Sequence, residues 1–193
     1  LVVYQNRRYD LDFLTMKQLI DSGEIGEVFH YESFVGGYSK PCSYWHSDAE
    51  VSGGAIFDWG SHFIDQILSI LPSPVAHVSG LNQKRVWDHV TNADHSQVTL
   101  TFNDGVQAVF TNSDLAAARK PKYFVLGTKG SIVGDWDQTS ETVTDLPAII
   151  YLFHPDGTKQ TVENIKPTPF SFHQSLVNCL LNKTPMNVTA QQS

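Results

Sequence analysis

The sequence lacks the features that mark secreted, membrane-spanning and nucleic-acid-binding proteins. It has 2 cysteines in 193 residues, too few for a disulfide framework, so we expect a reducing, cytoplasmic location. No apolar run approaches the roughly 20 residues that a helix needs to cross a bilayer, so we expect no membrane partner. The net charge is −7, and the basic residues are scattered. This balance argues against a nucleic-acid partner, because nucleic-acid binding needs concentrated positive charge.

Signatures of several enzyme classes are also missing. The sequence contains no serine or cysteine nucleophile motif, no phosphate-binding glycine loop and no dinucleotide fingerprint. The composition, 41% hydrophobic and 17% charged, and the length are those of one globular domain. The chain begins without Met, at Leu1-Val2-Val3, which resembles the middle of a strand. We therefore interpret residues 1–193 as a single domain of a longer protein, truncated at both ends.

The apolar pattern predicts a few helices and a long series of strands. The predicted helices span 11–20, 53–71 and 172–181. The predicted strands span 1–9, 26–34, 75–86, 94–102, 106–111, 123–126, 131–133, 142–144, 148–153 and 158–162. Turns such as Asn103-Asp104-Gly105 favour antiparallel pairing of neighbouring strands. The sequence therefore predicts an α+β fold, with helices packed on one face of a large, mostly antiparallel open sheet.

The other face of this sheet has no predicted helix to cover it. Such a face must be wet or covered by a partner chain, because the sequence offers no further helices. We therefore expect the protein to form a homo-oligomer through the open face of the sheet.

The predicted helix 53–71 carries the most informative polar residues. It opens with Gly53-Gly54, and its apolar residues fall on one broad face. Asp58, His62 and Asp65 follow at i, i+4 and i+7, so they form a narrow polar stripe on the other side. A carboxylate one turn from an imidazole orients the ring and stabilises its protonated form. Asp58 and His62 are therefore a candidate pair for proton transfer.

The same spacing leaves two other hypotheses open. Asp58 and His62 could bind zinc or manganese in a metal-dependent hydrolase or isomerase. Further ligands would then come from His46, His89, Asp94 or His95. The domain could instead be a non-catalytic module for ligand binding or dimerisation. Proton transfer is favoured over metal chemistry, because the candidate ligands at 88–95 have no ligand spacing of their own.

Four segments resemble successive landmarks of one enzyme family. They are Gln5-Asn6-Arg7-Arg8-Tyr9-Asp10, Ser22-Gly23-Glu24-Ile25-Gly26-Glu27-Val28, Ser52-Gly53-Gly54-Ala55-Ile56-Phe57-Asp58-Trp59-Gly60-Ser61-His62-Phe63-Ile64-Asp65 and Leu126-Gly127-Thr128-Lys129-Gly130-Ser131-Ile132. In order and interval they are similar to the C-terminal domain of the glucose–fructose oxidoreductase/inositol dehydrogenase (Gfo/Idh/MocA) family. The resemblance implies a dihydrodipicolinate-reductase-like domain. It also implies an N-terminal Rossmann domain, absent from this chain, that binds NAD or NADP.

The resemblance also implies a role for particular residues. By match to the family motif, Asp58 and His62 are the catalytic residues, and His62 is the acid/base for a hydroxyl or carbonyl. The candidates for substrate binding are Arg7, Trp45, His46, Asp65, Lys120 and Lys122. The implied substrate is a sugar, polyol or related compound, and no residue of this chain is assigned to the cofactor or to a metal. The Glu-Lys-Pro motif that carries the family's catalytic lysine is also absent, so we expect this domain alone to be inactive.

Two positions depart from the family pattern. The family often has three glycines where this chain has Gly53-Gly54-Ala55. It also often has a basic residue after the loop tryptophan, where His46 follows Trp45 in this chain. Both departures lie beside the predicted site, so the resemblance leaves the identity of the substrate open.

Overall fold

The computed structural model describes residues 2–136 and 147–189. The helices in these ranges are α1 (Leu11–Asp21), α2 (Ala49–Ser52), α3 (Trp59–Ile70) and α4 (Ser171–Asn182). The strands are β1 (Val28–Gly36), β2 (Val75–Gln83), β3 (His95–Phe102), β4 (Gln107–Ser113), β5 (Tyr123–Gly127), β6 (Gly130–Asp135), β7 (Ile149–Phe153) and β8 (Lys159–Val162). Short 3-10 helices span Asn6–Tyr9 and Trp45–Ser47. The predicted strand 142–144 lies outside the described residues.

The strands form one eight-stranded sheet in the order β2-β3-β4-β1-β5-β6-β7-β8. Neighbouring strands run antiparallel except β1 and β4, which are parallel because β1 is inserted among later strands. The predicted turn at Asn103-Asp104-Gly105 joins β3 to β4, and Gly105 has a φ of 86° that favours glycine. The predicted α+β fold with a mostly antiparallel open sheet is confirmed.

Helices α1 and α3 pack on one face of the sheet. Phe63 of α3 stacks on Phe110 of β4 with ring centroids 5.4 Å apart, and its ring lies 6.1 Å from that of Tyr123 in β5. Met16 of α1 is fully buried in the same core. Removal of these apolar side chains from water is the main force that holds the helices on the sheet. Side chains at alternate strand positions, such as Glu32 of β1, point to the opposite, uncovered face.

The N-terminal segment differs from the prediction. A strand over residues 1–9 is wrong, because Asn6–Tyr9 form a 3-10 helix. This helix is docked on α3, where the Gln66 amide donates to the Arg7 carbonyl at 2.7 Å. Contacts between residues so far apart in sequence override the strand propensity of the segment.

Helix α3 is also shorter than the predicted helix 53–71. Gly53 and Gly54 have φ values of 77° and 86°, in the left-handed region where helices commonly end. Gly53 therefore terminates the short helix α2, and α3 begins only at Trp59. Asp58 consequently precedes α3 at its N-cap position instead of lying within the helix.

Helix α4 has no buried residue. It contacts the N-terminal segment through Phe172, whose ring lies 4.2 Å from that of Tyr4. Among the described residues, no helix is long and apolar enough to cross a membrane.

Candidate active site

A polar cluster of Arg7, His46, Asp58 and His62 forms where α3 begins. Gly53 and Gly54, with their left-handed φ values, turn the chain after α2, and Asp58 then lies at the N-cap position of α3. Gly60 lets this end of the helix lie close to the sheet, because a Cβ there would come within 3.3 Å of the Phe110 ring. The glycines and the helix start thus place His62, one turn into α3, at the edge of the core.

Asp58 is paired with the loop before it. His46 Nε2 lies 3.3 Å from Asp58 Oδ2, and both side chains are partly exposed. The His46 carbonyl accepts a hydrogen bond of 2.9 Å from Asn92, which fixes the loop. No hydrogen bond joins Asp58 to His62 in the part of the chain that the structure describes. The structure therefore brings His46, Asp58 and His62 into one region, with Asp58 bonded to the loop histidine.

His62 has a different partner, Gln5 from the N-terminal segment. His62 Nδ1 lies 3.3 Å from Gln5 Oε1. Burial lowers the pKa of His62 below its ordinary value, and the nearby positive charge of Arg7 lowers it further, against the opposite effect of Asp58 and other carboxylates. The ring is thus favoured in its neutral form, which is the form that can accept a proton.

Arg7 lies beside this histidine and is held from several sides. Its guanidinium is 5.0 Å from the centroid of the Trp59 ring, and its Nη1 is 3.4 Å from Asp10 Oδ2. The Arg7 carbonyl accepts the 2.7 Å hydrogen bond from Gln66. Arg7 therefore presents a positive charge at the candidate site with its backbone and its side chain both anchored.

Asp65 belongs to the predicted stripe but is closed off. Its carboxylate accepts two hydrogen bonds of 2.6 Å from Arg8, and its side chain is only 6% exposed. Arg8 also donates to the Asn187 carbonyl at 3.0 Å. The Asp65 carboxylate is therefore paired with Arg8 inside the domain and is not exposed to the cluster around His62.

The two predicted lysines lie in different places. Lys122 is 4% exposed, and its Nζ lies 2.6 Å from Oδ2 of the fully buried Asp12. Asp12 also accepts a hydrogen bond from the Ala148 amide. Lys120 instead pairs with Glu32 on the uncovered face of the sheet. Lys122 Nζ also lies 3.8 Å from Asp10 Oδ2, so Lys122 borders the cluster around His62 through Asp10, whereas Lys120 does not.

Trp45 is the predicted residue that is most open to solvent. It is 61% exposed, and its ring makes an edge contact of 4.9 Å with that of His46. The neighbouring Tyr44 is 59% exposed. The loop thus presents flat apolar rings at the margin of the cluster, next to its charged groups.

Gln5, Asp10 and Gln66 were not identified by the sequence pattern, although all three hold the cluster together. Gln5 and Gln66 act across 57 and 59 positions of sequence, on His62 and Arg7 respectively. The only signal in the chain was that Gln5 and Asp10 lie within the segment that resembles a family landmark. Gln5 and Gln66 are uncharged and belong to no periodic pattern, so the sequence offers no signal that predicts their long-range contacts.

The described residues offer no set of three His, Cys, Asp or Glu side chains placed to hold a metal ion. Two of the suggested ligands have other partners. His89 Nε2 lies 3.1 Å from the Pro41 carbonyl. Asp94 is buried. It accepts hydrogen bonds from the Lys84 side chain and from the backbone amides of residues 85–87, which come directly after Lys84.

Comparison with known proteins identifies relatives of this domain. Residues 13–133 match the model of the GFO/IDH/MocA C-terminal domain. YhhX, an oxidoreductase of Escherichia coli, is 32% identical over 155 residues, which is 75% of this chain and 41% of YhhX. The scyllo-inositol 2-dehydrogenase (NADP(+)) IolW of Bacillus subtilis is 30% identical over 134 residues, which is 69% of this chain and 38% of IolW. The chain thus spans less than half the length of these curated relatives.

Solved structures share the fold. The Bacillus subtilis structure described as oxidoreductase yvaA matches with a TM-score of 0.82 at 23% identity, over 98% of this chain and 59% of that chain. An NAD-binding protein from Listeria innocua matches with a TM-score of 0.77 at 26% identity, over 98% of this chain and 60% of that chain. Nearly all of this chain therefore corresponds to one part of larger proteins.

Proposed function

Because the chain belongs to the GFO/IDH/MocA family, as its C-terminal domain, we propose that it is the substrate-facing part of a nicotinamide-dependent oxidoreductase. The proposed reaction interconverts a hydroxyl and a carbonyl on a sugar, polyol or related compound. Support for the substrate class comes from IolW, whose name describes an inositol dehydrogenase. The cofactor is proposed to be NAD or NADP, held mainly outside this chain.

The observation that carries the proposal is the half-buried His62 beside Arg7. Oxidation of an alcohol requires removal of the hydroxyl proton as the hydride leaves carbon, and a neutral imidazole is suited to accept that proton. The lowered pKa of His62 keeps the ring neutral at physiological pH. In the reverse direction, protonated His62 returns the proton to the carbonyl oxygen. A bound nicotinamide would accept or supply the hydride.

The other groups of the cluster are proposed to bind the substrate. Arg7 and Asp58 offer a donor and an acceptor for hydroxyl groups, and His46 holds Asp58 in place. The exposed ring of Trp45 offers an apolar surface for the carbon face of a sugar ring. Asp65 and Lys122 contribute through the packing that holds this region, since their charges are paired inside the domain.

We further propose that a second copy of the protein covers the open face of the sheet. Apolar side chains on that face, including Phe124, Val133 and Tyr151, are only partly buried within one chain. Lys120 and Glu32 lie on the same face. Sedimentation of the whole protein at micromolar concentration should give an oligomer, and a purely monomeric species would contradict this assignment.

The catalytic proposal is tested by incubating the whole protein with a panel of sugars and polyols and with either NAD or NADP. We expect formation of the reduced nicotinamide, followed by its absorbance, with at least one polyol or sugar. The domain alone should show no turnover. Absence of turnover with every substrate, in both directions and with both cofactors, would contradict the proposed function.

A parallel measurement separates this proposal from the metal hypothesis. Turnover should survive extensive treatment with a chelator, and the purified protein should contain no stoichiometric zinc or manganese. Stoichiometric metal that is lost together with activity, and restored together with it, would favour Asp58 and His62 as ligands.

A further inference from the structure

We infer that Gln5 is a positioning residue that fixes the tautomer of His62, so that Nδ1 carries the proton and Nε2 is free to act on the substrate. The contact is between His62 Nδ1 and the amide oxygen of Gln5, at 3.3 Å. An amide oxygen can only accept a hydrogen bond, so the ring nitrogen that faces it must donate. The inference rests on the proposed acid/base role of His62.

The segment that carries Gln5 is anchored on the helix that carries His62. Gln66, one turn after His62 in α3, donates to the Arg7 carbonyl at 2.7 Å. Asp65, also in α3, accepts both hydrogen bonds from Arg8. The Arg8 amide in turn donates to the Gln5 carbonyl at 3.1 Å. The backbone of Gln5 is therefore positioned by the same helix whose histidine its side chain contacts.

Asp58 cannot fill this role in the observed arrangement. It precedes α3, and its carboxylate oxygen Oδ2 lies 3.3 Å from His46 Nε2. A neutral amide partner also has a different consequence from a carboxylate. A carboxylate on Nδ1 would favour the protonated ring, whereas Gln5 orients the ring and leaves it neutral.

Other histidines of the chain provide an internal comparison. His30 Nε2 lies 3.0 Å from Glu32 Oε1, and His89 Nε2 lies 3.1 Å from the Pro41 carbonyl. Both partners accept, so these rings should carry a proton on Nε2. His62 should therefore differ from His30 and His89 in which nitrogen is protonated.

The test is long-range proton–nitrogen NMR on the whole protein with 15N-labelled histidine, above about pH 8, where an ordinary imidazole is neutral. We expect His62 protonated on Nδ1, and His30 and His89 protonated on Nε2. A wild-type His62 protonated on Nε2 would overturn the inference, because Gln5 would then present its NH2 group to the ring. This readout needs no substrate or turnover, so it decides the inference separately from the proposed function.

Two variants of Gln5 complete the test. Gln5→Leu should shift His62 toward the Nε2-protonated form and, in the active protein, lower kcat with little change in KM. Gln5→Glu should keep Nδ1 protonated and raise the pKa of His62, which is also surrounded by Arg7, Asp58, Asp10 and Asp65. The control variant Asn6→Leu, at the exposed neighbouring position, should change neither the tautomer of His62 nor kcat.

The outcomes are distinct. An unchanged His62 tautomer in Gln5→Leu contradicts the inference even if kcat falls, because the loss would then come from another cause. If Gln5→Leu does not fold, the wild-type tautomer and the Gln5→Glu titration still decide it. A confirmed tautomer in a protein without oxidoreductase activity would uphold the placement of the proton and contradict the proposed function.

Discussion

The start and the middle of α3 use polar residues in opposite ways. At its start, the side chains of Asp58 and His62 are partly exposed, and among the described residues each makes one polar contact, of 3.3 Å. One turn further on, Asp65 and Gln66 are buried and make hydrogen bonds of 2.6 and 2.7 Å. The loosely bonded groups keep capacity for a ligand, whereas the saturated groups hold the N-terminal segment on the helix. Spacing alone, which placed Asp58, His62 and Asp65 in one stripe, does not distinguish these roles.

The largest effect is expected from a variant in the buried middle of α3. Asp65→Ala should lower the free energy of unfolding by about 3 kcal/mol, because it leaves the Arg8 guanidinium without its partner in a poorly hydrated position. Chemical denaturation of both proteins measures this. An unchanged stability would show that the Arg8–Asp65 pair does not anchor the segment. Asp21→Ala, which removes an exposed pair with Lys17, is the matched control and should cost less than about 0.5 kcal/mol.

A smaller loss is expected at Gln66. Gln66→Leu should cost about 2 kcal/mol, because the buried Tyr123 hydroxyl and the Arg7 carbonyl both lose their partner. The thermal midpoint should fall accordingly. Gln18→Leu, at an exposed position of α1, should leave the midpoint nearly unchanged. Equal effects of the two substitutions would show that Gln66 contributes no more to stability than an exposed surface residue.

In the loop beside the start of α3, the expected effect is on substrate affinity and not on stability. Trp45→Ala should raise KM by about 3–10-fold, because an exposed aromatic face contributes roughly 1 kcal/mol of contact with the substrate. Its free energy of unfolding should change little, since the ring is 61% exposed. A large loss of stability with unchanged KM would assign Trp45 to the core instead.

The smallest effect is a pH dependence of stability from His62. Its pKa is lowered in the folded protein, so the unfolded chain takes up the proton first as the pH falls. This contribution to stability is fully present above the ordinary pKa of about 6.5 and is lost as the pH falls through the lower folded value. Because the ring is only half-buried, we expect less than about 1 kcal/mol. Between about pH 8 and about pH 5, the free energy of unfolding of the wild type should fall more than that of His62→Gln. An equal fall in both proteins would show that His62 makes no such contribution, and a larger fall in His62→Gln would contradict its sign.

Local signals in the sequence predicted much of the sheet. The turn at Asn103-Asp104-Gly105 and the alternation of 94–102 predicted the bounds of β3 and β4 to within two residues. The predicted start of this helix, α3, at Gly53 was wrong, because Gly53 and Gly54 could open a helix or end one. Their left-handed φ values show that they end α2.

The pairing within the candidate site was much harder to predict than its location. Asp58 and His62 were placed together by their spacing, and they do lie in one region. Their partners were missed because Gln5 reaches His62 across 57 residues and His46 belongs to a loop without periodicity. Lys122 looked like an accessible cation, but Asp12, brought near by α1, buries it in an ion pair.

The most direct test of the account is the turnover of His62→Ala in the whole protein, measured beside its thermal midpoint. If His62, in the first turn of α3, carries the chemistry, turnover should fall by about 10²–10⁴-fold, while the midpoint and the affinity for the nicotinamide change little. Turnover equal to that of the wild type would contradict the assignment of His62 as the acid/base.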